Sequence, residues 1–357
     1  MPPYHILVIN PGSTSTKVAV YEDERPLSVS TIRHTPDELA AYAQIIDQHD
    51  FRRQLVTDWL AQNNIPLRFD AIIGRGGLIK PIPGGVYRVN RKMCFETYYA
   101  LRKHACNLGC ILAYELAKEQ GGGCQAYIAD PVTVDELVPE ARVSGSPLMP
   151  RLAIWHALNQ RAIARRYARQ VGCSYSDLNL IVCHLGGGIS VAAHEHGRAV
   201  DANNALDGEG PLSPERAGTL PAADLIHLCY SGRYTEEQLK KRVAGQAGLM
   251  AHLGTTDILQ IMQMIEQGNE RARLLINAMI FHTAKQIAAE GAVLCGRVDA
   301  ILLTGGMAHS AYITEGIKQR VSYLAPVHVF PGEDEMEALA LNALAVLRGE
   351  CQAKEYE

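Results

Sequence analysis

At 357 residues and 39.0 kDa the chain exceeds what one hydrophobic core usually serves, so two domains are expected. A composition of 47% hydrophobic and 20% charged residues, with a net charge of -4, lacks the basic surface that nucleic acid or an anionic membrane would require, and neither is expected as a partner. Nine cysteines without a C-x-x-C pair suit a reducing, cytoplasmic setting better than a disulfide framework.

The chain opens directly on a strand pattern, so no signal peptide is read. No stretch approaches the roughly 18 uncharged apolar residues that would cross a membrane. Residues 6–9 (ILVI) and 18–21 (VAVY) read as strands around a polar turn, NPGSTST at 10–16, followed by Lys17. This is not a Walker A loop: Gly12 stands five residues before Lys17, but the second glycine is missing and a strand follows. The turn reads either as a hydrophilic hairpin tip or as a phosphate-holding loop. In the second case Ser13, Ser15 and backbone N–H groups face phosphate oxygens and Lys17 supplies a point charge.

A β-like piece at 27–33 follows, then helix-like periodicity at 36–61, a strand at 71–73, a helix-like stretch at 92–119 and a strand at 126–129. Helix-like periodicity at 151–170 leads to strands at 180–183 and 189–193 around the turn His184-Leu185-Gly186-Gly187-Gly188, and a β-like piece at 199–202. The remainder alternates helix-like stretches (221–229, 255–267, 270–294, 334–348) with strands at 300–303 and 327–330. Strands interleaved with helices predict an α/β fold. The unit of strand, Gly/Ser turn and strand at the N-terminus recurs at 180–193, each copy opening a three-stranded meander, which suggests two similar halves with a cleft between them.

Three consecutive glycines lose much chain entropy on folding, a cost explained by a ligand approaching the backbone closely or by a tight bulged hairpin. A third turn, Gly305-Gly306, ends the strand at 300–303 and leads into a helix, where a ligand can meet the helix N-terminus. Three such turns, two of them in corresponding places of a repeat, predict an ATP site.

On these motifs, from VINPGSTSTK at 8–17 to FPGEDEMEAL at 330–339, the chain resembles the acetate and sugar kinase, Hsp70 and actin superfamily, and within it the short-chain carboxylate kinases of the acetokinase family. The resemblance implies two actin-like (ribonuclease H-like) lobes with mixed β-sheets flanked by helices and a nucleotide cleft between them. The first lobe would be residues 1–150 plus 337–357, the second 151–336. It also implies ATP/ADP and Mg2+ as cofactors, a short-chain carboxylate and its acyl phosphate as substrates, and a homo-oligomer, at least a dimer.

Phosphoryl transfer to a carboxylate spreads negative charge over the moving group and needs no strong base, because the acceptor is already ionised. Cations and hydrogen-bond donors should carry it. By resemblance, Arg75 in IIGRGGL and Arg216 in SPERAG match the two arginines that neutralise carboxylate and phosphoryl group, and forked donors suit both. His156 in IWHAL matches a histidine that hydrogen-bonds the phosphoryl group, with His184 a second candidate. Other histidines, such as His194 and His196, are expected to face solvent. Asn10, Ser13, Ser15, Lys17, His184, Gly186, Gly187, Gly188, Gly305 and Gly306 would bind the nucleotide. Asp130, at the C-terminal end of a strand, would serve catalysis and the metal, with Glu335 at the start of the last helix; Glu333 and Asp334 are alternatives for Glu335.

Two departures stand out from acetate kinases, which carry H-L-G-N-G at the second turn and R-V-V-H-G-G after the first arginine. This chain has Gly187 in place of the asparagine, and Gly76 and Gly77 follow Arg75. If the valine closes the acid pocket, Gly77 opens it, and each extra methylene is worth about 1–3 kcal/mol. A four-carbon acid, butyrate or branched isobutyrate, is therefore expected. Another carboxylate kinase, for acetate, propionate or branched-chain acids, an actin-like ATPase filament or chaperone module, and a sugar kinase using Asp130 as a base are the competing readings.

Overall fold

The computed structural model of the protein describes residues 2–100 and 104–357. The chain divides into two compact units, Met1–Val134 with Asp334–Glu357, and Asp135–Glu333.

The first unit is built on a six-stranded sheet: β1 (His5–Pro11), β2 (Ser15–Glu22), β3 (Arg25–Arg33), β4 (Ala71–Arg75), β5 (Val86–Arg88) and β6 (Gln125–Ala129), in the order β3-β2-β1-β4-β6-β5. β1, β2 and β3 form an antiparallel meander, while β4 is parallel to β1 and β6 to β4. Ile6 to Ile9 and Ala71 to Ile73 are wholly buried, as continuous apolar runs are when a sheet is covered on both faces. Leu7, Ile9 and Ile72 pack on Leu108, Leu112 and Leu116 of helix Leu108–Gln120. Ile6 and Val8 alternate to the other face, and helix Glu335–Leu347 packs on β1 and β4. A Cβ on Gly74 would lie 1.9 Å from Gly109 O, and one on Gly109 2.2 Å from Arg75 O. Helix Leu108–Gln120 therefore crosses the end of β4 at a distance only two glycines allow.

The second unit repeats the plan. β7 (Asn179–Leu185), β8 (Ile189–Glu195) and β9 (Arg198–Ala202) form the meander, β10 (Ala300–Gly305) runs parallel to β7, and β11 (Val327–Pro331) parallel to β10; the order is β11-β10-β7-β8-β9. Ile181, Cys183, Ile301 and Leu303 pack on Ile276, Met279, Ile280 and Ile287 of helix Glu270–Val293. Leu180, Val182 and Leu302 pack on Ile163 and Tyr167 of helix Ala157–Val171. The repeat extends to irregularities: the register slips at Val20/Tyr21 in one meander and at Ala193/His194 in the other.

Several boundaries differ from those expected. The chain leaves the first unit after Val134, earlier than residue 150. The reason is that the following segment is bound to the second unit: Val138 N–H donates to Val200 O at 2.9 Å, and Arg151 pairs with Asp201 at 3.0 Å and Glu209 at 3.1 Å. It returns at Asp334 rather than 337. The stretch 36–61 is broken into Pro36–Ala40, a 3-10 turn Ile45–Gln48 and His49–Gln62. In place of one helix over 92–119 stand Arg91–Tyr98, a 3-10 turn Ala105–Asn107 and Leu108–Gln120, with 101–103 outside the described residues. Helices Glu236–Val243 and Gly248–Leu253 and strand β5 add elements the periodicity did not mark. All nine cysteines are free. No helix among the described residues is long and apolar enough to cross a membrane.

Glu290, on helix Glu270–Val293, is 1% exposed, and its Oε2 has no hydrogen-bond partner among the described residues. Burial, reinforced by Asp201, raises its carboxyl to about 8. Because the folded value lies above the unfolded one, the folded state holds an extra proton between them, and its stability falls as pH rises through that window. The Glu290→Gln variant should remove a loss of up to about 1.4 kcal/mol per pH unit between pH 5 and 8, read from urea midpoints across that range.

Candidate active site

The turn between β1 and β2 is set by a residue that the sequence did not single out. Arg52 is wholly buried. Its Nη1 donates to Gly12 O at 2.7 Å, Ser15 O at 3.1 Å and Thr16 Oγ1 at 3.1 Å, and Nη2 donates to Ser13 O at 3.3 Å. Gln48 Oε1 accepts from Nε and Nη2 at 3.0 and 2.8 Å. No carboxylate among the described residues lies within ion-pair distance. Burial lowers Arg52 to about 10, so it stays cationic at neutral pH. Three carbonyls of the turn thus face a fixed positive charge, while Ser13 and Lys17 are exposed and Ser15 half-buried. The available signal was register: Arg52 falls on the same helix face as the buried Val56, Trp59 and Leu60, where a charge needs a reason.

Arg75 ends β4 and is 5% exposed. Its Nη2 lies 3.2 Å from Glu335 Oε1, and Glu335 Oε2 accepts from Asn10 Nδ2 at 2.8 Å. Three of the expected residues, from β1, β4 and the last helix, therefore form one chain of contacts. Asp130 follows β6 with φ +38 and is wholly buried. Its Oδ1 accepts from Gly85 N–H at 2.7 Å and its N–H donates to Gly85 O at 3.0 Å. A non-glycine residue in the left-handed region is costly and often marks a functional position.

In the second unit, the glycine turn after β7 is backed by residues 213–216. Ser213 Oγ and Glu215 N–H donate to Gly187 O at 2.7 and 3.1 Å. A Cβ on Gly187 would stand 3.3 Å from the Glu215 carboxylate, and one on Gly188 3.5 Å from Arg216 Nη1. These glycines seat Glu215 and Arg216 against the turn. Arg216 Nη1 donates to Ala205 O at 2.8 Å; burial lowers its pKa, against the opposing pull of Glu215 and Asp207. Gly305 has φ +93, and a Cβ there would lie 2.4 Å from Leu185 O, so the third turn closes directly on the end of β7. Gly306 has open space where a side chain would be.

His156 and His184 come together. Their rings stack with centroids 3.8 Å apart and planes at 12°. His156 Nδ1 bonds Ser190 Oγ at 2.8 Å. His184 Nδ1 bonds Asn159 Oδ1 at 2.8 Å, and its Nε2 lies 3.6 Å from Glu333 Oε1. His184 is thus a full partner of His156. Among the acids at 333–335, Glu333 faces this histidine, Asp334 has φ +40 ahead of the helix, and Glu335 pairs with Arg75.

Two expectations need correction. His194 does not face solvent: it is wholly buried, bonded by Tyr175 Oη at 2.6 Å and Gln160 Oε1 at 3.1 Å, with Trp155 edge-on. Alternation along β8 puts it on a covered face, because both faces of this sheet carry helices; His196, beyond the strand, is exposed. Gly77 does not open a pocket either. A Cβ there would meet Asn107 Cα and Oδ1 at 2.5 Å, and one on Gly76 would meet Pro131 Cβ at 2.7 Å. The space is filled by Asn107, whose Oδ1 accepts from Leu78 N–H at 2.8 Å.

A family model described as the acetokinase family matches residues 153–328. The chain is 62% identical over 352 residues, 99% of each chain, to a probable butyrate kinase of Bacteroides thetaiotaomicron. It is 48% identical over 356 residues, again 99% of each, to butyrate kinase 2 of Clostridium acetobutylicum. Among solved structures, acetate kinase of Porphyromonas gingivalis aligns with a TM-score of 0.78 over 96% of this chain and all of its own, at 17% identity. That likeness shows a shared fold.

Two substitutions test the packing. Arg52→Met strips the donors from three turn carbonyls and should cost about 3 kcal/mol or more, seen as a lower urea midpoint at constant slope. Gly77→Val should lower the thermal midpoint through overpacking worth about 1–3 kcal/mol; an unchanged midpoint would show that the space is open after all.

Proposed function

The chain belongs to the acetokinase family, and we propose that its reaction is reversible phosphoryl transfer between ATP and butyrate, giving butyryl phosphate and ADP. The end-to-end identity with relatives named as butyrate kinases carries this reading. Positive charge held away from water supports it: Arg75 is 5% exposed and Arg216 is half-buried.

A carboxylate oxygen of the acid attacks the γ-phosphorus as the bond to the ADP oxygen breaks. No proton has to be removed, because the acid is ionised at neutral pH. Arg75 would neutralise the acid and the phosphoryl oxygens. Glu335 holds its guanidinium at 3.2 Å, and Asn10 in turn donates to Glu335 at 2.8 Å. Arg216, anchored on Ala205 O, would neutralise phosphoryl oxygens as well. His156 would donate a hydrogen bond to the phosphoryl group. Ser13, Ser15, Lys17 and the turn Gly186-Gly187-Gly188 would receive the phosphates of ATP, and Gly305-Gly306 would let the nucleotide approach the backbone. Arg52 adds a positive potential behind the first turn.

Asp130 and Glu335 would hold Mg2+, which takes oxygen ligands from one or two carboxylates and keeps its other positions for water and phosphate. Each is held by neighbours, Asp130 by Gly85 and Glu335 by Asn10 and Arg75. Mg2+ when bound would offset charge on the phosphoryl oxygens.

Acyl phosphate trapped with hydroxylamine from MgATP and a panel of acetate, propionate, butyrate, isobutyrate and valerate tests the reading. Butyrate should give the highest kcat/KM, and Arg75→Ala and Arg216→Ala should each lose about a hundredfold or more. A maximum at acetate would keep the phosphotransfer and discard the four-carbon assignment; a maximum at isobutyrate would move it to branched acids. ATP hydrolysis without any acyl phosphate would overturn the reading.

A further inference from the structure

A buried row of polar side chains in the second unit leads to His156, and its polarity can be read from one end. Gln160 is wholly buried. Its amide nitrogen lies 3.0 Å from Ser190 O, a carbonyl that can only accept, so this atom is Nε2 and its two hydrogens go to Ser190 O and to Ser190 Oγ at 2.9 Å. Gln160 Oε1 then faces His194 Nε2 at 3.1 Å and can only accept, so His194 carries its proton on Nε2. Its Nδ1 receives the Tyr175 hydroxyl at 2.6 Å. Burial, with Arg161 and Arg165 nearby, pushes His194 down to about 3, so the ring is neutral under working conditions.

The other end of the row is Ser190 Oγ. It accepts from Gln160 Nε2 and from the His156 backbone N–H at 3.3 Å, which occupies both lone pairs. Its own hydrogen is directed to His156 Nδ1 at 2.8 Å. We propose that the row Tyr175, His194, Gln160 and Ser190 fixes neutral His156 as the tautomer with its proton on Nε2, so that Ser190 and Gln160 are positioning residues for phosphoryl transfer. The proposal rests on the reading of His156 as a hydrogen-bond donor to the phosphoryl group and adds which ring atom donates and what sets it.

The neighbouring ring has the opposite setting. Asn159 Nδ2 donates to Glu333 O at 2.8 Å, which leaves Asn159 Oδ1 as the acceptor for His184 Nδ1–H at 2.8 Å. The Glu333 carboxylate faces His184 Nε2. The stacked pair is thus divided: His184 has a carboxylate beside its Nε2, and His156 has the Ser190 hydroxyl at its Nδ1. A donor whose proton position is set before substrate arrives does not have to reorganise during transfer.

Nitrogen-15 spectra of the full-length protein labelled in its histidines read the tautomer without reference to activity, with His156 assigned by its loss in His156→Gln. The expected result is an unprotonated Nδ1 and a protonated Nε2 for the neutral ring. In Ser190→Ala both tautomers should appear and kcat should fall about tenfold, the worth of one hydrogen bond, with both KM values unchanged. Ser190→Thr, which keeps a hydroxyl, should restore the single tautomer and most of the rate. A wild-type ring with its proton on Nδ1 overturns the proposal, as does a Ser190→Ala enzyme whose rate falls while its tautomer is unchanged. Wild-type kcat in His156→Gln would sink the reading of His156 as donor, and with it the catalytic part of the proposal, while the measured tautomer would still stand on its own.

Discussion

A buried arginine has to be held by its surroundings, and much of the first unit follows from how that is done. Arg75 is almost without solvent, and a guanidinium taken out of water costs several kcal/mol unless a carboxylate accompanies it. Glu335 supplies that carboxylate at 3.2 Å and is itself fixed by Asn10 at 2.8 Å. Asn10 and Glu335 lie 325 positions apart in the chain. They meet only because the chain, having built the whole second unit, returns at Asp334 and lays helix Glu335–Leu347 on β1 and β4. The paired glycines at 74 and 109 bring helix Leu108–Gln120 onto the same strand end, which fixes the backbone of Arg75 as well as its side chain.

The two units use one topology to hold different chemistry. In each, a meander leads to two further parallel strands, and the candidate groups stand at the C-terminal ends of those strands, where ligands of α/β sheets gather. In the first unit these are Asn10 at β1, Arg75 at β4 and Asp130 after β6; in the second they are His184 at β7, Gly305 at β10 and Glu333 after β11. The first unit backs its turn with a cation, because Arg52 gathers the carbonyls of Gly12, Ser13 and Ser15. The second backs its turn with Ser213, Glu215 and Arg216, and places two imidazoles beside it. The same turn position is thus backed by fixed charge in one unit and by hydroxyl and backbone donors in the other.

The strands, the three turns and the division into two α/β units were legible in the sequence because they rest on local signals: apolar runs, glycine clusters and their repetition. Arg75 and Glu335 were named through the family resemblance, since an arginine beside a strand end and an acid at a helix start are both ordinary on their own. Arg52 was not, since its partners lie 36 to 40 residues away in the turn it supports, and only its register among apolar residues hinted at burial. His194 misled for a related reason. Two histidines alternating at a strand end look solvent-facing, but its neighbours Tyr175 and Gln160 come from outside the strand and close over it. The break at 41–44 and the 3-10 turn Ala105–Asn107 were hidden because apolar periodicity persists through short joints.

Glycines show the limit of local reading most clearly. Gly77 stands where acetate kinases carry a valine, and the missing side chain reads as a missing wall. In the folded chain the backbone and amide of Asn107 occupy that volume, with Leu78 N–H bonded to the amide oxygen. Gly187 likewise stands where an asparagine is usual, and the freed position lies against the Glu215 carboxylate. In both places a side chain absent from one segment is replaced by a group from another. The packing beside Arg75 is therefore a property of the Gly77 and Asn107 pair, and a change at one position alters it only as far as the other can move.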